Sequence, residues 1–184
     1  MSANIVTTEV AEPYARALLS LTQDSGSTDE VNGLAGSVLT LLNQSQELAD
    51  FLANPISSAD AKKGVLQKIL GESTNTTFLN FLQLLVDRGR VALLIPILTQ
   101  FQALVREVNQ TVLAEVSSAV ELSDDQKEAI RQKVKAMTDA KAVELIASLD
   151  SSLLGGVIIK VGSQVIDASL RGQLRRIGIQ LGTA

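Results

Sequence analysis

The chain has 184 residues and a mass of 19.5 kDa; 46% of its residues are apolar, and it contains no His, no Cys, no Trp and five aromatic rings. That length holds one generous domain or two small ones around a real core. The absences exclude thiol nucleophiles, disulfide frameworks, Ser-His-Asp hydrolysis and the common zinc sites, and they tilt the reading toward a non-catalytic role without metal or cofactor. Sixteen basic and twenty acidic side chains give a net charge of −4, which does not suit a general nucleic-acid binder. The excess acid sits in residues 1–110, with seven basic and eleven acidic side chains, against nine of each in residues 111–184.

Uninterrupted apolar runs are short. The longest, Val91–Leu98, contains Pro96, well below the roughly 18 residues that cross a bilayer, so no membrane insertion is expected. The opening residues lack the basic flank and apolar block of a signal peptide, and Glu9 and Glu12 do not suit a transit peptide.

Helical spacing dominates up to about residue 110. Pro13 sits near the start of a first helix with Tyr14, Ala17, Leu18 and Leu21 on one face, ended by Ser25-Gly26-Ser27. Val31, Leu34, Val38, Leu41 and Leu42 make a second. A short helix over 47–53 stops at Asn54-Pro55. Ser57 and Ser58 offer caps for a fourth, with Asp60 in its first turn, a stripe of Val65, Leu66, Ile69 and Leu70, and Gly71 as its end. Residues 76–88 are apolar on most of their circumference (Phe78, Leu79, Phe81, Leu82, Leu84, Leu85, Val86), with Gly89 as C-terminal cap. A last helix reaches Gln110 with Pro96 in its first turns.

Beyond residue 110 the pattern changes to β-branched runs and two helices. Residues 111–120 read as a strand. Ser123-Asp124-Asp125-Gln126 is a capping box opening a helix to about Ala140. Strands follow at 143–149, 156–161 and 164–167, then a helix capped by Ser169 with Leu170, Leu174, Ile177 and Leu181 on one side. The chain is therefore expected to be mostly α: an N-terminal helical bundle over 1–110 and a small C-terminal α/β domain over 111–184.

No constellation points to chemistry. Gly155-Gly156 precedes a β-branched run rather than a helix, which fits a tight turn better than a phosphate loop. Asp124 and Asp125 fall in the first turn of a capped helix, where acids favour the dipole. Lys62-Lys63 and Arg175-Arg176 read as solvated helix faces. A carboxylate–lysine enzyme, a generic helical adaptor and a membrane-surface protein are the competing readings. A helix apolar all round is either core or one wall of a groove for another chain's helix, and periodicity does not separate the two.

Two longer runs carry a resemblance. Residues 143–162, VELIASLDSSLLGGVIIKVG, and residues 165–174, VIDASLRGQL, resemble the signature of the ATP synthase delta subunit family, which includes the mitochondrial oligomycin-sensitivity conferral protein. Leu149, Asp150, Gly155, Gly156, Lys160, Gly162 and Asp167 are its signature residues here, and Ala168 stands where many members have Gly. Tyr14-Ala15-Arg16-Ala17-Leu18 is similar to the opening motif, and Asp87-Arg88-Gly89-Arg90 with Leu94, Pro96, Ile97 and Phe101 to the mid-chain motif.

The resemblance implies a six-helix N-terminal bundle, a small α/β domain and a stator role, one copy per synthase. The bundle would hold an N-terminal helix of an alpha subunit between its first and fifth helices, with beta as a further contact. The C-terminal domain would meet b-type subunits of the peripheral stalk. Tyr14, Ala17, Leu18, Phe78, Leu82 and Val86 are the candidates for the groove or its floor, and Leu174, Ile177 and Leu181 for the stalk-facing surface. A bacterial, cyanobacterial or chloroplast-type origin is expected, with the complex at a thylakoid or inner membrane.

Overall fold

A computed structural model describes residues 2–71, 75–138, 140–180 and 182. Among them are eight α-helices and a mixed four-stranded sheet, divided into two compact units, Met1–Val105 and Arg106–Ala184.

The first unit holds α1 (Ser2–Asp24), α2 (Thr28–Gln44), α3 (Gln46–Ala53), α4 (Ala59–Leu70), α5 (Thr76–Asp87), a 3-10 turn (Val91–Leu93) and most of α6 (Leu94–Val108). Their apolar stripes share one core, in which Leu18, Val31, Leu66, Phe78, Leu82, Leu85, Ile97, Leu98 and Phe101 are at most 1% exposed. Ala11 and Ala15 on α1 are fully buried, so small side chains let its neighbours approach closely.

Pro13 corrects an expectation: it lies in the middle of α1 rather than at its start. It is on the exposed side of the helix, where the carbonyl it leaves without an amide donor can turn to water. The eighteen residues Val91–Val108 correct another. Their mean hydropathy of 1.4 is apolar enough, by length and composition, to cross a membrane. Seven of them (Val91, Leu94, Ile97, Leu98, Phe101, Leu104, Val105) are buried in the core instead.

Side-chain caps fix several helix starts. Asn75 accepts from the Thr77 and Phe78 amides at 3.1 and 3.3 Å, and its own amide donates to Glu30. Asn75→Ala should therefore lower stability by about 1 kcal/mol, read from the urea midpoint of the first unit.

The second unit contains β1 (Thr111–Ser118), α7 (Asp124–Thr138), β2 (Ala142–Leu149), β3 (Val157–Val161), β4 (Gln164–Asp167) and α8 (Leu170–Gln180). The strand order is β2-β1-β3-β4, with β1 and β2 parallel and the other pairs antiparallel. The parallel pair needs a crossover, which α7 provides. The capping box forms: Ser123 accepts from the Gln126 amide at 3.3 Å, and Gln126 accepts from the Ser123 amide at 3.0 Å. Ile130 and Val134 of α7 then pack on Ala114, Val116, Ile159 and Val161. Arg106, the first residue of this unit, pairs with Glu144 of β2 at 3.3 Å.

Candidate functional site

In α1, residues 11, 15, 18 and 22 face the core and are fully buried. The next row, Val10, Tyr14, Ala17 and Leu21, lies beside it on the same helix. With Pro13, Phe81, Leu84 and Arg90 this row lines an open groove of about 420 Å³ between α1 and α5. Val10, Leu21 and Leu84 are 41%, 49% and 46% exposed, a cluster of large apolar side chains left in water. Phe81 forms part of the floor and is 5% exposed.

The six residues expected here divide. Tyr14 and Ala17 line the groove. Leu18, Phe78 and Leu82 are fully buried and Val86 is 6% exposed, so these four are core rather than groove wall. The reason is helical phase. Leu18 and Leu82 are each one step of about 100° from a groove residue (Ala17 and Phe81), Phe78 and Val86 lie on the same buried side of α5, and both rows are apolar, so the sequence shows one broad stripe. Val10, Pro13, Phe81 and Leu84 escape the sequence reading for the same reason, and Arg90 because it lies beyond the helix, in the turn after α5.

Arg90 is placed by the end of α5. Gly89, at φ +64°, turns the chain, and the Arg90 amide returns to the Leu85 carbonyl at 2.8 Å while the Gly89 amide bonds Val86 at 3.0 Å. The Arg90 guanidinium then lies 5.3 Å from the centre of the Tyr14 ring and donates from Nη1 to the phenol oxygen.

A second apolar surface lies on α8. Leu170, Leu174 and Ile177, spaced as one helical stripe, are 48%, 63% and 51% exposed. Leu181 lies outside the described residues. Among the expected polar features, Lys62 is a correction: it is 7% exposed, beside Ser57 and Gly89, not on a solvated face. Lys63 pairs with Asp87 at 2.6 Å. Asp124 is fully open and pairs with Lys127 within its own helix at 3.3 Å. Among the described residues no three His, Cys, Asp or Glu side chains cluster to hold a metal.

The sequence model of the ATP synthase delta (OSCP) subunit family matches residues 10–181. The chain belongs to that family. It is 49% identical over 180 residues to ATP synthase subunit delta of Trichodesmium erythraeum, covering 98% of this chain and 99% of that protein. It is 50% identical to the protein of that name from Trichormus variabilis over the full length of both. A chain in the cryo-EM structure of the Toxoplasma gondii mitochondrial ATP synthase hexamer has the same fold, with a TM-score of 0.71 at 23% identity over 93% of this chain and 96% of that one.

The residues expected as the family signature serve the architecture of the second unit. Leu149 ends β2 and is 69% exposed. Asp150 closes the following turn: its amide donates to the Ser118 carbonyl, its carboxylate accepts from the Ser152 amide, and hydrogen bonds from Ser152 hold its carboxyl below the usual range. Lys160 pairs with Glu115 across β3 and β1 at 2.9 Å. Gly162 turns β3 into β4.

Gly155, Gly156 and Asp167 together tie α8 to the sheet. The Leu170 amide donates to the Gly155 carbonyl at 3.0 Å, and a Cβ on Gly156 would lie 2.4 Å from the Ala168 carbonyl oxygen. Asp167 accepts from the Ser169 amide at 2.9 Å and its hydroxyl at 2.6 Å, and that hydroxyl oxygen caps α8 through the Gly172 amide. Arg176 adds hydrogen bonds to the Asp167 carbonyl.

Hydrogen bonds from the Ser169 side chain and backbone hold the Asp167 carboxyl below its ordinary value. A depressed folded value stabilises the unit above the ordinary carboxylate range, and that stabilisation is lost as pH falls through the folded value. Asp167→Ala should therefore flatten the acid limb of the second unit's stability profile. Amide exchange is the suitable readout, because this unit has no aromatic ring.

Proposed function

We propose that this chain is a non-catalytic stator subunit of a proton-driven rotary ATP synthase, joining the top of the catalytic head to the peripheral stalk. Proton flow turns the rotor, and an unheld head would turn with it. A linker that resists this torque needs two binding surfaces on rigid units, not acids, bases or metals. The observation that carries the reading is the apolar α1–α5 groove in a member of the delta/OSCP family.

In this reading α1–α6 act as one six-helix bundle. Its groove receives an N-terminal amphipathic helix of a single alpha subunit, whose apolar side chains cover Val10, Ala17, Leu21, Phe81 and Leu84. Beta is a secondary contact. The α8 stripe of Leu170, Leu174 and Ile177 supports docking of b-type stalk subunits. One copy serves each complex, without cofactor. The cyanobacterial relatives favour a place on the thylakoid membrane as a peripheral part of the complex.

The test is reconstitution. Membranes whose synthase lacks this chain should hydrolyse ATP without coupling and regain proton-driven synthesis when it is added back. Full coupled synthesis in its absence would end the proposal.

A further inference from the structure

We propose that Arg90 makes the α1–α5 groove selective for a helix bearing a carboxylate beside its apolar stripe, and thereby sets the direction in which that helix lies. This rests on the groove being a helix-docking site, and it adds the chemistry of the occupant.

The argument begins with charge. Of the described residues lining the groove, Val10, Pro13, Ala17, Leu21, Phe81 and Leu84 are apolar, Tyr14 is neutral, and Arg90 alone is charged. Arg90 follows α5 by three residues, whereas Phe81 and Leu84 lie within that helix, so the charge stands beyond the C-terminal end of the α5 wall, against Tyr14. Among the described residues no carboxylate pairs with Arg90. Two acids near the groove in sequence are engaged elsewhere: Asp87 with Lys63 at 2.6 Å, and Glu12 with Arg16 at 2.8 Å.

The cation is also held in place. Its backbone is pinned by the amide bond to Leu85, and its guanidinium by the Tyr14 phenol. That contact uses one of five N–H donors, leaving others to take a carboxylate in the planar, two-pronged geometry that Arg favours. Tyr14 is thus a positioning residue, holding the fork at the groove rim before a partner arrives. A helix docked in the opposite direction would place its carboxylate over Phe81 and Leu84 and leave Arg90 unpaired. Exposed rim charges contribute modestly to affinity and more strongly to orientation and association rate.

The test uses the full chain and the N-terminal peptide of the cognate alpha subunit, with each peptide carboxylate changed in turn to its amide. Tyr14 is the sole tyrosine and there is no tryptophan, so emission from within the groove reports occupancy in the free chain. One Glu→Gln or Asp→Asn change should weaken binding about fivefold at low salt. Arg90→Gln should cause the same loss, and the two losses should not add. Arg90→Glu should prefer the peptide with Lys at that position, and Arg90→Lys should recover part of the affinity. Raising the salt to about 0.5 M should erase these differences.

If the unaltered peptide does not bind, the groove reading itself fails. If it binds but every amide peptide and Arg90→Gln bind equally well, the groove reading stands and the assignment to Arg90 is overturned. Equal urea midpoints for the Arg90 variants exclude a folding effect.

Discussion

Replacing Leu84 with Asp is expected to abolish docking of a partner helix while leaving the fold almost intact. Replacing Leu82 with Ala, two residues away, is expected to do the reverse. Leu84 is 46% exposed on the groove wall, so a carboxylate there stays hydrated in the free chain and is desolvated only on docking. A central apolar anchor of this kind carries about 2 kcal/mol or more, so affinity should fall at least about thirtyfold. Leu82 is fully buried in the shared core, and its truncation leaves a cavity costing about 2–5 kcal/mol of stability. Urea unfolding and peptide titration on both variants separate the roles. Equal losses of stability in the two would contradict the division between groove and core.

Gly156→Ala should unfold or loosen the second unit without disturbing the first. Its φ of +82° is unfavourable for a side chain, and the new Cβ would meet the Ala168 carbonyl oxygen at 2.4 Å and the Ser169 Cα at 2.9 Å. Both are backbone atoms of the segment leading into α8, so relief requires moving that helix start off the sheet. The strained backbone alone costs about 1–3 kcal/mol, and the overlap adds to it. Amide protection in β3, β4 and α8 should drop, while that in α1–α6 stays as in the parent chain. Unchanged protection in residues 157–180 would show that the contact is not a constraint.

The helices were legible because each carries an apolar period, and several carry punctuation that the structure uses. Ser58 caps α4 by accepting from Ala61, and Gly71 follows its last residue; the Ser123–Gln126 box opens α7. The sheet was legible as strands but not as an order, since the parallel β1–β2 pairing depends on packing by α7. Pro13 misled because its helix preference at first turns says nothing about a helix with an exposed side that tolerates it.

The site was legible only in outline. Family motifs brought attention to the first and fifth helices, and Tyr14 and Ala17 do line the groove. Leu18, Phe78, Leu82 and Val86 do not, because adjacent rows on one helix differ in burial without differing in hydrophobicity. Arg90 could have been noticed as the one charged residue that the mid-chain motif returns toward α1, but only the Gly89 turn and the Tyr14 contact place it there. The signature glycines and Asp167, by contrast, are explained by how α8 is anchored.

The most direct measurement of the linking role is site-specific photo-crosslinking in the intact synthase, with the probe at position 84 or at position 174 and the partners identified by mass spectrometry. Position 84 is expected to label the N-terminal segment of one alpha subunit, and position 174 a b-type stalk subunit. Labelling of the same subunit from both positions, or of neither alpha nor stalk, would contradict a chain that bridges the head and the stalk.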